Sequence, residues 1–289
     1  MSDPRSIHFR KMNGLGNDFV VVDVRAHDPH FSAETVRAIA DRKTGIGCDQ
    51  FILIERPRNG GDCFMGIRNA DGGEVEACGN AARCIASLML DETGKTEVIV
   101  ETLGAMTRGS RAPDGNVTVD MGTPRLEWHE IPLAEEIRDT RGIELQIGPI
   151  DNPILHTPAV VNVGNPHAIF FIEDVNSVDL SRVGPLLENH PMFPERANIS
   201  LAQVISRDHI LLKVWERGAG LTRACGTAAC AAAVAGARKR LTNRAVTVTL
   251  PGGDLHLHWR EEDDHILMTG PATFDDDGTL DPAFFGPRS

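Results

Sequence analysis

Short apolar runs recur along the chain and predict a strand-rich protein. Phe19–Val24, Gln50–Glu55, Cys63–Asn69, Glu97–Thr102 and Asn116–Met121 are rich in β-branched and aromatic residues, the composition of strands. A second series repeats the pattern: Val160–Val163, Ala168–Ile172, Ile199–Ile205, His209–Glu216, Val246–Leu250, Leu255–Trp259 and Ile266–Thr269. Four stretches read as helices. Ser32–Asp41 opens on a capping serine. Gly79–Leu90 sets Ile85, Leu88 and Met89 on an apolar face, and Leu180–Glu188 and Thr227–Arg240 complete the set. Strands outnumber helices, and Leu255–Trp259 lies close enough to Ile266–Thr269 for a hairpin, so the pattern predicts an α+β fold rather than a doubly wound parallel sheet. The acidic run Asp275-Asp276-Asp277-Gly278 predicts a surface turn.

The two series are offset copies. Cys78 and Cys225 lie 147 residues apart, each followed by Gly, a polar residue and an Ala-rich helix. Gly16-Asn17-Asp18 answers to Gly164-Asn165-Pro166 and Thr102-Leu103-Gly104 to Leu250-Pro251-Gly252, both at an offset of 148. Asn69 and Glu216 each stand nine residues before their cysteine. This is the signature of a duplicated unit. The expected organisation is two pseudo-symmetric units, residues 1–122 with the tail 271–289 and residues 123–270, joined near Gly122-Thr123-Pro124 and enclosing a cleft.

A cysteine at a helix start meets unsatisfied backbone N–H groups and the positive end of the helix dipole, which favours the thiolate. The following glycine lets a ligand approach the backbone closely, and the next N–H groups can bind an anion. Position alone leaves open whether Cys78 and Cys225 are small packing residues or functional thiols; their repetition in both units favours function. A facing pair could remove a proton from one side of a carbon and return one to the other. Cys48, Cys63, Cys84 and Cys230 lie inside strand or helix patterns and read as packing residues.

Composition narrows the setting. The 289 residues carry a formal charge of −12 and no basic stripe, which argues against a nucleic-acid partner. No apolar run reaches the length of a membrane span, and Met1-Ser2-Asp3-Pro4 lacks a secretory pattern, so a cytoplasmic location is expected. The cysteine spacings include no Cys-x-x-Cys pair, so neither a metal site nor a thiol redox motif is expected. No Gly-x-Gly-x-x-Gly turn or phosphate-binding loop appears, and no cofactor is expected.

Asn13, Asn17, Asn69, Asn80, Asn165 and Asn198 sit beside glycines, prolines or strand ends, where each alone fits turn chemistry; together they could line a polar pocket. Glu216-Arg217 before Gly218-Ala219-Gly220 is either a solvated pair or a clamp for a carboxylate and an ammonium group. His167 is either a satisfied structural histidine or a proton partner for a thiol.

Several motifs in one order resemble the diaminopimelate epimerase family, whose members act on amino acids without pyridoxal phosphate. They are Lys11-Met12-Asn13-Gly14-Leu15-Gly16-Asn17-Asp18-Phe19, Gly45-Ile46-Gly47-Cys48-Asp49-Gln50, Asn69-Ala70-Asp71-Gly72-Gly73 through Cys78-Gly79-Asn80, Gly164-Asn165-Pro166-His167, Arg196-Ala197-Asn198, and Glu216-Arg217-Gly218-Ala219-Gly220 through Cys225-Gly226-Thr227. The resemblance implies interconversion of LL- and meso-diaminopimelate, with Cys78 and Cys225 as the catalytic cysteines. It implies that Gly79, Asn80, Gly226 and Thr227 cradle the reacting carboxylate. Asn17, Gln50, Asn69, Asn165, Asn198, Glu216 and Arg217 would bind substrate, and His167 and Glu216 would tune the thiols. It further implies two similar units, each a mostly antiparallel sheet around a central helix, with the site between them, and a homodimer. Two departures stand out: the chain has no tyrosine in its tail or elsewhere, and Ala81 and Ala228 stand where glycine is common in the family. Proline or hydroxyproline racemases are the nearest rivals, but their substrates offer no second charged end for Arg217. A non-catalytic amino-acid-binding protein would not need both cysteines.

Overall fold

The structure, a computed structural model, describes residues 7–26, 29–281 and 284. The chain divides into two compact units, residues 1–119 with 270–289, and residues 120–269.

In the first unit, β1 (His8–Gly14) and β2 (Asn17–Asp23) form an antiparallel hairpin. Helix α1 (Ala33–Ala40) then crosses over to β3 (Gln50–Glu55), which pairs parallel with β2. β4 (Cys63–Asn69) returns antiparallel to β3 and is followed by the short β5 (Glu74–Val75). Helix α2 (Gly79–Thr93) makes the second crossover, to β6 (Glu97–Glu101), parallel with β4. β7 (Met106–Arg111) and β8 (Val117–Asp120) follow as antiparallel neighbours. The sheet is therefore antiparallel except at two joins. A strand that leaves through a crossover helix returns in the same direction, so the helices set those parallel joins.

The Asp275–Asp277 run is not a turn. It lies in a strand, Thr273–Thr279, antiparallel to β1. Aspartate disfavours strands locally, but here Asp276 faces Lys11 and Asp277 faces Arg10 across the ladder. Opposite charges directly across a pair stabilise it. Residues 282–283 and 285–289 of the expected tail, like Met1–Pro4, lie outside the described residues.

The second unit begins with a segment that has no counterpart in the first, including the two-stranded pair β9 (Gln146–Ile147) and β10 (Leu155–His156). Its Ile131, Leu133, Ile143, Leu145 and Leu155 join the unit's core against Phe170, Leu187 and Leu201. The repeat then runs β11 (Ala159–Asn162), β12 (Pro166–Phe171), α3 (Leu180–Glu188), β13 (Asn198–Ser206), β14 (His209–Glu216), β15 (Gly220–Thr222), α4 (Gly226–Arg238), β16 (Ala245–Leu250), β17 (Gly253–Trp259) and β18 (Ile266–Gly270). Its parallel joins fall at β12–β13 and β14–β16, again across the helices. Ten elements thus recur in the same order with the same pairing, which is what the offset predicted.

The central helices are buried on nearly every side rather than on one face. Asn80 to Ser87 of α2 and Ala228 to Gly236 of α4 are all buried. Small side chains make this possible: a Cβ at Gly109 would lie 2.5 Å from Ala86 Cβ, so β7 runs directly over α2. The outer helices behave differently. α1 packs Val36 and Ile39 on Phe31, Phe51 and Val20, an ordinary amphipathic arrangement. Among the described residues no helix is long and apolar enough to cross a membrane.

Candidate active site

The four helix starts separate into two kinds. α1 is capped by Ser32 Oγ, which accepts from Thr35 N–H at 3.1 Å, and α3 by Asp179, which accepts from Ser181 N–H at 3.0 Å. α2 and α4 instead begin at Cys78 and Cys225, with no acidic residue in either first turn. The two cysteines have nearly the same backbone, φ −148° and ψ 111° against φ −142° and ψ 108°. Both helices lack the oxygen cap that helix ends normally carry, leaving a thiol beside the positive end of the dipole.

At Cys78 the thiol meets a neutral amide. The thiol is partly exposed and donates to Asn17 Oδ1 at 3.9 Å. Asn17 is held in that orientation from behind: its Nδ2 donates to Asp49 Oδ2 at 2.9 Å. Arg42 Nη2 donates to both Asp49 (2.6 Å) and Asp18 (2.7 Å), and Lys11 lies 3.4 Å from Asp18. Burial pushes the Asp18 carboxyl up, but the Arg42 hydrogen bond and charge, with the Asp49 N–H, outweigh it and hold the group below its ordinary value. Gln50 and Asn69 face each other across β3 and β4, and Gln50 Nε2 donates to Asn69 Oδ1 at 3.1 Å. Gln50 Oε1 is buried without a hydrogen-bond partner among the described residues. Asn80 turns inward and accepts from the buried Arg83 Nη2 at 2.9 Å, so what Asn80 can offer a ligand is its backbone N–H.

Around Cys225 the setting is acidic and dry. The residue is only 5% exposed, its Sγ lies 3.4 Å from Thr227 Oγ1, and the Glu216 carboxylate is close enough for its charge to act on the thiol. Burial and the Glu216 charge push the thiol well up, against the opposing pull of Thr227 and the Ala228 N–H. Burial likewise raises Glu216, moderated by the Thr222 hydrogen bond and the Cys225 thiol. Glu216 ends β14, and Thr222 Oγ1 donates to its Oε1 from β15.

His167 is fully buried, and desolvation, with the Arg217 charge, lowers it to about 3. It is therefore an uncharged imidazole at neutral pH. Its Nε2 lies 2.8 Å from Asn165 Oδ1, which assigns the proton to that nitrogen and leaves Nδ1 as an acceptor without a partner among the described residues. Asn198, at the start of β13, ties β12 to the turn after β14: Nδ2 donates to Pro166 O at 2.9 Å and Oδ1 accepts Arg217 N–H at 3.0 Å. Arg217 Nη1 donates to Glu195 O at 2.9 Å. Below it, the buried Glu188 accepts from Gly218 N–H (3.0 Å), Arg196 Nη1 (3.2 Å) and Trp215 Nε1 (2.7 Å), fixing the turn that presents Arg217.

The first unit thus gathers Asn17 at the Cys78 thiol and pairs Gln50 with Asn69, and the second gathers Glu216 and Thr227 at the Cys225 thiol. The sequence singled out none of Asp49, Arg42, Thr222 or Glu188. Asp49 had a visible signal, since it precedes Gln50 inside the Gly-Cys-Asp-Gln motif. Burial also raises Cys48, to about 11, and Cys63 and Cys84, to about 12, the same direction as at Cys225, so it is the place at a helix start and not the shift that sets Cys225 apart.

The family model described as diaminopimelate epimerase matches residues 9–127 and 159–274, the two repeated units without the β9–β10 segment. A protein named diaminopimelate epimerase from Rhodopseudomonas palustris (strain BisB18) is 54% identical over 286 residues, covering 99% of this chain and 98% of its own. One of the same name from Bradyrhizobium sp. (strain ORS 278) is 55% identical over 288 residues, covering 99% of both. Among solved structures, a hydroxyproline epimerase from Agrobacterium vitis with bound trans-4-OH-L-proline superposes with a TM-score of 0.66 at 14% identity, over 99% of this chain and 96% of its own, a likeness of fold.

Proposed function

The chain belongs to the diaminopimelate epimerase family, and we propose that it interconverts LL- and meso-diaminopimelate with Cys78 and Cys225 as its two acid–base groups. The observation that carries the reading is the pair of cysteine-capped helices, repeated at matching places in both units and lacking the oxygen caps of α1 and α3. In one direction a thiolate takes the α-proton: the C–H bond breaks, an S–H bond forms, and the electron pair moves into the adjoining carboxylate. The other cysteine's S–H then gives its proton to the opposite face of the carbon. The cysteines exchange roles when the reaction reverses, so neither metal nor cofactor enters the balance.

Charge developing on the reacting carboxylate needs fixed donors. The first-turn N–H groups at Gly79 and Asn80, and at Gly226 and Thr227, serve as that cradle. Arg217 takes the distal carboxylate. Asn17, Gln50, Asn69, Asn165, Asn198 and Glu216 read the amino groups and orient the chain, with Gln50 Oε1 an acceptor suited to an ammonium group. His167 acts as a neutral hydrogen-bonding group near neutral pH, and Glu216 sets the protonation of Cys225. The meso product feeds lysine and peptidoglycan precursor synthesis. The enzyme works as a cytoplasmic homodimer, and its partner molecule is the small substrate rather than nucleic acid or membrane.

The test offers LL-diaminopimelate, proline and trans-4-hydroxyproline separately and follows stereochemistry by chiral chromatography. Meso product from the first alone is expected. Turnover of either proline, with none of diaminopimelate, would refute the reading.

A further inference from the structure

We propose that Thr222 is a positioning residue for the acid–base pair of the second unit: its hydroxyl keeps Glu216 a carboxylate and aims it at the Cys225 thiol. This rests on the reading of Cys225 as an acid–base group.

The geometry is a hairpin. In β14 and β15, Val214 faces Thr222, Trp215 faces Leu221 and Glu216 faces Gly220. Thr222 is therefore the diagonal neighbour of Glu216 on one face of the pair, within reach of a long side chain. Gly220, directly opposite Glu216, has no side chain to block the path, and its φ of +85° is a conformation glycine adopts without strain. Glu216 leans across and its Oε1 accepts the Thr222 hydroxyl hydrogen, while the same carboxylate lies close enough to the Cys225 thiol for its charge to act there.

The first unit is the built-in control. There Ile67 faces Val75 and Asn69 N–H donates to Gly73 O, so Asn69, Gly73 and Val75 occupy the places of Glu216, Gly220 and Thr222, each 147 residues earlier. The register is kept, with a glycine again in the opposite place, although in the first unit the positive φ falls on Gly72 rather than Gly73. Where the residue at the strand end is a neutral amide, Asn69, the diagonal partner is valine; where it is a carboxylate, Glu216, the partner is a hydrogen-bond donor. A hydroxyl that donates to a carboxylate stabilises its charged form, which a buried site otherwise disfavours.

The other charged groups around Glu216 are engaged elsewhere. Arg217 donates to Glu195 O, Glu188 on α3 takes Gly218, Arg196 and Trp215, and His167 on β12 is uncharged. Among the described residues the hydrogen-bond donor to the Glu216 carboxylate is Thr222.

Thr222→Val preserves shape and installs the residue found at the matching place in the first unit. The acid limb of its kcat/KM–pH profile should move up by about one pH unit or more, with activity recovering at high pH, and Thr222→Ser should restore the original profile. An unmoved limb, or a loss that serine does not rescue, overturns the proposal. If the valine protein does not fold, Thr222→Ala carries the same comparison. Infrared difference spectra against the matching Glu216→Gln proteins provide a readout that needs no substrate. At neutral pH a protonated carboxyl band should appear on the Thr222→Val background and be absent with Thr222 present; its absence from both overturns the proposal. A protein showing the band but turning over no diaminopimelate in any form would instead refute the functional reading.

Discussion

The starts of α2 and α4 share a backbone but not a chemistry. Both place a cysteine at the same dihedral angles ahead of a buried, small-residue helix. Cys78 is partly exposed and faces a carbonyl oxygen of Asn17; Cys225 is buried and faces a carboxylate. Three further substitutions at matching places separate the units. Asp49 answers to Ala197, Phe19 to His167, and Val75 to Thr222. Asp49 binds the nitrogen of Asn17 and turns its oxygen to the thiol, whereas His167 occupies the oxygen of Asn165. One asparagine is thus fixed as an acceptor toward its thiol, while the other has its acceptor already engaged. Duplication preserved the frame that positions a thiol at a dipole end, and side chains then differentiated the two copies. An epimerase needs that outcome, because its substrate is not symmetric between the two faces of the reacting carbon.

The largest test removes the shared feature. Cys78→Ala and Cys225→Ala should each lower epimerisation roughly a thousandfold, the middle of the range for a lost acid–base group, in steady-state assays. Full activity in either would mean that the copies are not both catalytic.

The next targets the buried imidazole. His167 in the fold takes its proton only near pH 3, against 6.5 for the free side chain. Between these values the unfolded chain binds the extra proton. Stability from this residue is therefore complete above about pH 6.5 and falls as the pH drops toward 3, by up to roughly 1.4 kcal/mol per unit. Denaturation of His167→Asn should show a shallower loss between pH 6 and 4 than the unaltered protein. Equal slopes would mean that the imidazole is not held neutral by burial.

Asp49→Asn should cost about tenfold in kcat/KM, since an amide cannot satisfy both Asn17 and Arg42 as the carboxylate does. An unchanged value would show that the orientation of Asn17 does not matter. The smallest effect opposes stability to function. Cys78→Ser supplies the missing oxygen cap and should stabilise the protein by up to about 1 kcal/mol while activity is lost. A thermal melt that moves down would show that the first turn of α2 does not lack a cap.

Much of this architecture was legible in the sequence because duplication writes itself at a fixed offset. The cysteine-led helices, the Ser32 cap and most strands follow from local pattern. What escaped depends on partners distant in sequence. β1 mixes Arg10 and Lys11 with apolar residues, and the Asp275–Asp277 strand has poor strand propensity; each makes sense only opposite the other. Leu88 suggested a one-sided α2, but the alanines of that helix let strands close around it. At the site, glycines and cysteines announced the helix starts. The residues that hold the thiols' neighbours, Asp49 behind Asn17 and Thr222 beside Glu216, became visible only when strand register brought them together.

The central claim is that two separate thiols serve one carbon, and solvent deuterium tests it most directly. In early turnover of LL-diaminopimelate in deuterated water, the meso product should carry one deuterium at the inverted carbon. Recovered LL substrate should remain unlabelled, because the thiol that took the α-proton gives back that same proton when the step reverses, and only the opposite thiol delivers deuterium. Product that retains the substrate's own proton at that carbon would require a single base and would contradict the account.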